Sequence, residues 1–337
     1  RCFSGCDSYV PQALNPCMES SPGKHRILIA SDIHYASVDE KAEGENELST
    51  IRNPFLKLCA KVFRHYFWMR HPHSHNDKLL KFLAIAPDAD LFIACGDYTC
   101  GAGNIGVRYP SAYASASECL SLMRQRFGNK TLAICGDHEI GKMSLFGGKG
   151  GLRLASWRIS QEKLGIRRIW HRQFDSWRLI GLSSPPIILP NIQKEILPEE
   201  REKWETIRKD YLREIESHMN LVTPDDKVVL FCHDPTALPH LAELPVIQHL
   251  LGRKRITLTV VGHLHTEIIL KASRLLSGMP HLTFLGNSAS RMSSALKKAK
   301  IWKDFNLVLC PSLAGCQWAK DGGWLELELN NNGDYTL

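Results

Sequence analysis

Five short, mainly apolar runs in this chain end in the same kinds of residue, and that recurrence limits the folds open to it. Arg26–Ala30 leads into Ser31-Asp32-Ile33-His34, Asp90–Cys95 into Gly96-Asp97, and Thr131–Cys135 into Gly136-Asp137-His138-Glu139. Lys227–Phe231 leads into Cys232-His233-Asp234, and Ile256–Val261 into Gly262-His263-Leu264-His265. Short runs of this kind, bounded by glycine and polar residues, predict buried strands. Ligands of open α/β sheets gather beyond the carboxyl ends of strands, so five polar clusters at five such ends predict one site.

Helical patterns separate the strands. Residues 51–70 are basic and aromatic-rich, and further helices are predicted at Lys78–Ala86, about Ser115–Phe127 and about Pro198–His218, the last a charged outer helix. Ser37–Thr50 predicts a loop, Gly147–Gly151 a mobile loop beside the site, and Asn287–Arg291 a polar turn. Weaker strand patterns occur at Arg168–Trp170, Arg178–Leu182, Leu282–Leu285, Asn306–Leu309 and Trp324–Leu329. No fixed-period repeat and no linker interrupts this alternation. It predicts one α/β domain over residues 25–337, behind an irregular arm of residues 1–24. Residues from about 40 to 80 are expected as an insertion that caps the site.

Carboxylate oxygen and imidazole nitrogen suit Mn, Fe, Zn and related divalent ions. Asp32, His34, Asp97, Asp137, His233, His263 and His265 are too many donors for one ion and enough for two. A bridging carboxylate would let two ions sit about 3.5–4 Å apart, a spacing used in phosphoester hydrolysis. In Asp32-x-His34 and His263-x-His265, an extended backbone would turn both ligands to one side.

In this order the motifs resemble those of the calcineurin-like metallophosphoesterase superfamily: D-x-H, G-D, G-N-H-D/E, a lone His, and G-H-x-H. Here the pieces are SDIH, CGDY, CGDHE, CHD and GHLH, spanning residues 31–265. The resemblance implies a four-layer α/β/β/α sandwich with an inserted helical cap. It implies two divalent metal ions as cofactor, Mn first, with Fe, Zn or Mg as alternatives. Asp32, His34 and His265 would hold one ion, Asp137, His233 and His263 the other, and Asp97 would bridge both. A water or hydroxide between the ions would attack phosphorus. His138 would stand on the leaving-group side, as general acid or as a cation over the phosphoryl oxygens. Asp137 departs from the family's usual Asn and adds negative charge, which bears on turnover rather than on fold. A metal-binding scaffold without turnover is the alternative class.

A formal net charge of +7 and a sequence pI of about 8.8 suit an anionic partner without choosing among phosphate esters, nucleic acid and acidic membranes. A nuclease would call for a long basic groove with stacking aromatics. The chain has one short run of that composition, residues 51–70, so nucleic acid is not an expected partner. Within it, Ile51, Phe55, Leu58, Val62, Phe63, Tyr66 and Phe67 fall near a 3.6-residue period. Arg52, Lys57, Lys61, Arg64 and Arg70 fill much of the rest. Such a helix suits a membrane surface or an amphiphilic ligand, or packs on the core with its cations outward. His71, His73 and His75 follow and predict a solvated polar loop. Arg124, Arg126, Arg153 and Arg158 are candidate phosphate contacts among which the sequence does not select.

The placement of this insert is similar to that in lipid-processing members of the superfamily, the UDP-2,3-diacylglucosamine pyrophosphohydrolases of lipid A synthesis among them. The resemblance implies an amphiphilic nucleotide-lipid substrate, split at the α-phosphate into UMP and 2,3-diacylglucosamine 1-phosphate. It implies work at the cytoplasmic face of the inner membrane, peripherally or through a removed N-terminal anchor. A phosphodiester of another lipid head group or of a nucleotide fits the motifs equally well. Of the 11 cysteines, Cys95, Cys135, Cys232 and Cys310 lie in apolar runs and are expected as buried free thiols, which suits a reducing compartment. Cys2, Cys6 and Cys17 lie in the polar lead-in, where either redox state is open. No apolar run reaches the ~18 residues of a membrane-spanning helix.

Overall fold

The computed structural model describes residues 23–44, 48, 51, 53–142, 150–282, 287–316 and 322–337, with backbone alone at 287–289. Among the described residues, ten strands form two sheets. They are β1 (Lys24–Ala30), β2 (Leu91–Ala94), β3 (Thr131–Ala133), β4 (Ile169–Phe174), β5 (Trp177–Leu182), β6 (Lys227–Cys232), β7 (Ile256–Val261), β8 (Leu307–Leu309), β9 (Leu325–Asn330) and β10 (Tyr335–Thr336). One sheet has the order β10-β9-β1-β2-β3 and the other β4-β5-β6-β7-β8. β1, β2 and β3 are parallel, in register at Ile29↔Ile93 and Ile93↔Leu132. β5 to β8 are parallel as well, and antiparallel strands close the sheets at β4, β9 and β10.

Side chains alternate across a strand, and in the central strands both faces are apolar because both are covered. Ile27, Ile29 and Ile93 of the first sheet share a core with Leu179, Val229 and Phe231 of the second. The opposite faces, with Leu28, Phe92, Ile180 and Leu230, join a second core with the helices. The helices among the described residues are α1 (Val38–Glu43), α2 (Pro54–Tyr66), α3 (Asn76–Ile85), α4 (Pro110–Phe127), α5 (Asp137–Ile140), α6 (Leu154–Glu162), α7 (Arg201–Met219), α8 (Leu238–Leu241), α9 (Pro245–Gly252), α10 (Glu267–Leu275) and α11 (Asn287–Lys298), of which α3 to α10 contribute to that core. Phe82 of α3 packs on Phe92, and α7 buries Trp204, Tyr211 and Ile215 while its charged face stays in solvent. The result is the four-layer sandwich of a metallophosphoesterase, helix on sheet on sheet on helix. Cys95, Cys135, Cys232 and Cys310 are buried free thiols within it.

Two expectations fail locally. The stretch expected as a loop after Tyr35 contains α1, whose N-cap Ser37 accepts from the Glu40 N–H at 3.2 Å. Ser37-x-x-Glu40 is a capping-box spacing, so the signal was present. Asn287–Arg291 is not a turn but the start of α11. The strand expected at Leu282–Leu285, most of the Gly147–Gly151 loop, and Cys2, Cys6 and Cys17 fall on or run into residues outside those described.

Asp226 ties three segments of the second sheet together. It accepts from the Thr223 N–H at 2.8 Å, from Gln173 Nε2 of β4 at 2.9 Å and from Arg178 Nε of β5 at 3.1 Å. Burial works to raise its pKa, but these donors outweigh burial and leave it lowered. Asp226→Ala should therefore cost about 2–3 kcal/mol at pH 7, by stranding its donors. Because the folded pKa lies below the unfolded value of about 3.9, that contribution is complete above roughly pH 4. It is lost as pH falls through the folded value. Urea denaturation of both proteins at pH 7 and near pH 2.5 should show the gap closing in acid; an unchanged gap would mean that the carboxylate's charge plays no part.

Candidate metal centre

The parallel strands β1, β2, β3, β6 and β7 all deliver their carboxyl ends to one end of the sandwich. Asp32 and His34 follow β1, Asp97 follows β2, Asp137 and His138 open α5 after β3, His233 follows β6, and His263 and His265 follow β7. The backbone there is not extended, as the alternating motifs suggested. Asp32, His34, Asp97, His263 and His265 all have left-handed φ, between 48° and 63°. They make up five of the nine non-glycine residues with positive φ among those described, so strain gathers at this site. Each left-handed residue turns the chain sharply where a strand would have carried its side chain away.

The motif glycines permit the approach. A Cβ on Gly136 would stand 2.2 Å from Asp97 Oδ1, and one on Gly262 would stand 2.0 Å from Ser31 Oγ and 2.6 Å from Asp32 Oδ2. The Gly262 carbon thus brings a loop of the second sheet against a carboxylate of the first. His263 N–H donates to Asp32 Oδ2 at 3.0 Å across the same seam, and Ser31 Oγ donates to it at 2.6 Å.

Two groups of ligating atoms result. Asp32, His34 and His265 form one, and Asp97, Asp137, His233 and His263 the other, with the atoms of each within 4.8 Å of one another. His265 Nε2 lies 3.2 Å from Asp32 Oδ1 and 3.3 Å from His34 Nε2. His233 Nε2 lies 3.2 Å from Asp97 Oδ2 and 3.4 Å from Asp137 Oδ1, and His263 Nδ1 lies 3.2 Å from the same Asp137 oxygen. A third group, His34, Asp97 and His138, joins the two. All eight residues singled out from the sequence are thereby brought together. His233 Nε2 and His265 Nδ1 are buried with no hydrogen-bond partner among the described residues. His233 Nε2, buried between the Asp97 and Asp137 carboxylates, is a nitrogen that a divalent ion would satisfy, and His265 turns its other nitrogen, Nε2, to Asp32 and His34, so the donor set fits the ions that the resemblance implies.

The electrostatics agree. Burial alone would raise Asp32, but His265 first, then His233 and His34, hold it well below the usual carboxylate range. Burial and Asp137 push against Asp97, and His233 and His138 still keep it ionised. Burial and then the neighbouring His138 and His265 hold His34 neutral, the form that binds metal. The imidazoles are oriented from behind: His233 Nδ1 by the Cys95 carbonyl at 2.7 Å, His34 Nδ1 by Thr99 O at 3.4 Å, and His138 Nδ1 by Cys100 O at 3.0 Å.

Four supporting residues were not foreseen. Glu139 is fully buried and accepts from the backbone N–H groups of Asp97, Tyr98 and Gly136 at 2.7–3.0 Å. Burial and the Asp97 charge push it up to about 8. Glu40 is also fully buried, and it accepts from Ala102 N–H at 2.8 Å and Thr99 Oγ1 at 3.1 Å, holding the loop behind His34 and His138. Trp68 lies against His265, with ring centroids 4.7 Å apart. Lys142 Nζ stands 3.4 Å from Asp137 Oδ2. Of the arginines considered, Arg124, Arg126 and Arg153 donate to backbone carbonyls of Leu164, Ala86, Leu152 and Gly150 rather than to this site. His71, His73 and His75 bracket a single 3-10 turn and join no ligand group among the described residues.

Residues 25–267 match the calcineurin-like phosphoesterase family, and the chain belongs to it. It is a metal-dependent phosphoester hydrolase by class. No curated protein sequence matches the chain. Among solved structures it is similar to phosphopantetheinyl hydrolase from Mycobacterium tuberculosis, at 12% identity over 73% of this chain and 84% of that one, with a TM-score of 0.36.

The motif that this chain resembles has Asn at the position of Asp137, and Lys142 stands beside the added charge. The additional carboxylate meets a cation of its own. Lys142→Ala should lower the stability of the metal-stripped protein by about 1 kcal/mol, and Asp137→Asn should remove most of that loss. Chemical denaturation of the two single variants and the double variant measures the coupling; additive effects would separate the two residues.

Proposed function

We propose that this site hydrolyses a phosphodiester or pyrophosphate bond of an amphiphilic substrate, with UDP-2,3-diacylglucosamine as the leading assignment and UMP and 2,3-diacylglucosamine 1-phosphate as products. The observation that carries the hydrolase is the pairing of two Asp/His groups around Asp97. Asp32, His34 and His265 would hold one ion, Asp137, His233 and His263 the other, and Asp97 would be shared. Mn is the first choice of metal. The ions would neutralise phosphoryl charge and supply an activated water at neutral pH.

The protein's own groups do the rest. Asp97 is fixed through its N–H by Glu139 at 3.0 Å and through Oδ1 by the His138 N–H at 3.1 Å, so its carboxylate keeps one orientation. His138 presents Nε2 to the cluster, 3.8 Å from Asp97 Oδ2, because its Nδ1 is engaged by Cys100 O. In the free protein, burial and then Lys142 favour the neutral imidazole. An arriving phosphoryl group would favour the imidazolium, which can donate to a leaving oxygen. Asp97→Ala should lower kcat/KM by at least about 1000-fold, since it removes the shared ligand, and bound metal should fall from two ions toward one. Release of UMP from UDP-2,3-diacylglucosamine with added Mn²⁺, beside turnover of bis-p-nitrophenyl phosphate, separates the readings. Turnover of only the generic diester keeps the hydrolase and discards this substrate; wild-type rates in Asp97→Ala protein would sink both.

The amphiphilic part of the proposal is supported by α2. Only Ala60 in it is buried, while Phe55, Leu58 and Tyr66 are 74%, 58% and 61% exposed. It carries Lys57, Lys61 and Arg64 and no carboxylate. No helix among the described residues is long and apolar enough to cross a membrane. A basic helix with an exposed apolar face suits peripheral contact with an anionic lipid surface, which at the cytoplasmic face of an inner membrane would also present the substrate. The protein should co-sediment with vesicles containing phosphatidylglycerol and much less with phosphatidylcholine alone. Phe55→Asp with Leu58→Asp should reduce the bound fraction at least fivefold without loss of folding. Equal recovery of the double variant and the wild type on acidic vesicles would refute this contact.

A further inference from the structure

A run of rings leads from the outside of α2 to the metal centre. Phe67 stacks on Phe63 with centroids 6.0 Å apart, and Phe63 stacks on Trp68 at 6.4 Å. Trp68 lies 4.7 Å from His265, His265 5.1 Å from His34, and His34 4.7 Å from His138. The outer members are open to solvent, with Phe63 51% and Phe67 45% exposed, and Trp68 is half-buried. The path is therefore accessible at its outer end and reaches the catalytic groups at its inner end.

The wall is also fixed in place. Trp68 N–H donates to Phe63 O at 3.2 Å, which folds the residue back against the end of α2. The next residue, Met69, is buried, and Cys316 Sγ donates to Phe67 O at 2.8 Å, pinning the same turn from the C-terminal side of the chain. Nothing in the metal chemistry requires an indole beside His265: that imidazole's nitrogens face Asp32 and His34 or stay unpartnered.

We propose that Trp68, with Phe63 and Phe67 beyond it, is the wall along which a hydrocarbon chain of the substrate lies, so that Trp68 sets specificity for phosphate esters bearing an alkyl or acyl chain. The inference rests on the phosphoesterase reading and gives it a substrate class. A phosphoryl group held at Asp32, His34 and His265 has Trp68 as its neighbour, and a chain leaving the phosphate on that side crosses the indole. Phe63 and Phe67 offer dispersion and apolar area but no hydrogen-bonding group. Aromatic faces also stack nucleobases, so what singles out a hydrocarbon chain is the continuation of the apolar surface beyond the rings. The wall continues into the exposed apolar face of α2, so a chain reaching past Phe67 still meets apolar surface.

The test is calorimetric titration of the metal-loaded protein with octyl phosphate, kept monomeric, and with methyl phosphate. Each methylene buried strengthens binding roughly fourfold, so three or four against these rings should give octyl phosphate an advantage of about 60- to 250-fold. Trp68→Ala should cut the ratio to below about tenfold while leaving methyl phosphate affinity and metal content unchanged, and Trp68→Phe should restore most of it. An undiminished ratio in Trp68→Ala protein overturns the proposal. So does a parallel loss of methyl phosphate binding and metal, because Trp68 would then only support His265. Wild-type protein that binds both esters equally overturns the wall and leaves the hydrolase standing. Metal-loaded wild-type protein that binds neither overturns both.

Discussion

Three carboxylates meet at one end of the sandwich, Asp32 and Asp97 fully buried and Asp137 partly, and the surrounding structure compensates for their desolvation. Taking charges of one sign out of water together is among the most expensive things a fold can do. Here the cost is met by imidazoles from both sheets, by Lys142, by the Ser31 hydroxyl, and by N–H groups of His138 and His263. The compensation is cross-sheet: Asp32 of the first sheet leans on His263 and His265 of the second, and Asp97 on His233. The seam between the sheets is thus bound by charge at this end and by Ile27, Ile29, Phe231 and their neighbours along the rest of its length.

That arrangement explains the backbone. A strand end that simply continued would separate its ligands by the pleat, whereas a left-handed residue turns the chain within one peptide. Asp, His and Asn tolerate that conformation better than most residues, and the ligand types are the same types. Chemistry and conformation therefore select the same residues at Asp32, His34, Asp97, His263 and His265. Glycine stands where a neighbouring loop closes in, as at Gly136 against Asp97 and Gly262 against Ser31. Behind the turns stand Glu139 and Glu40, each accepting backbone N–H groups that the left-handed loops leave without strand partners.

This division accounts for what could be read from the residues in order. The central strands were legible because both of their faces are buried, so they stand out as continuous apolar runs such as Ile27–Ala30 and Val228–Cys232. The ligands were legible because they sit beside those runs in local motifs. Glu139 was quoted within a motif, but its work depends on Asp97 and Tyr98, which lie about forty residues away in the chain. Glu40 acts through Thr99 and Ala102, and Lys142 acts on Asp137 across a helical turn whose shape no periodicity gives. Trp68 reads as one more aromatic in a basic helix until the fold sets it on His265. Asn287–Arg291 misled because Asn and Ser are turn-like in composition, while α11 gains its helicity from the body it packs on, through residues such as Leu296.

The apolar surface of α2 is the least economical part of the molecule. Leaving Phe55, Leu58, Phe63, Tyr66 and Phe67 in water forfeits the burial that stabilises helices such as α4 and α7. A helix with one buried alanine is held by little packing of its own. It depends on its ends: Asn53 capping Phe55 and Leu56 at 2.9 and 3.1 Å, and the turn at Phe67–Met69 pinned by Cys316. Such a helix is expected where its exposed face is used, because the same area is recovered on contact with lipid or with a chain-bearing substrate. Its position follows the same logic. The segment leaves the core after Asp32 and His34 and returns at Trp68 against His265, so both of its ends are anchored in one metal-ligating group. A contact made on the outer face is thus linked, through the turn at Phe67–Met69, to the imidazoles that would hold one of the ions.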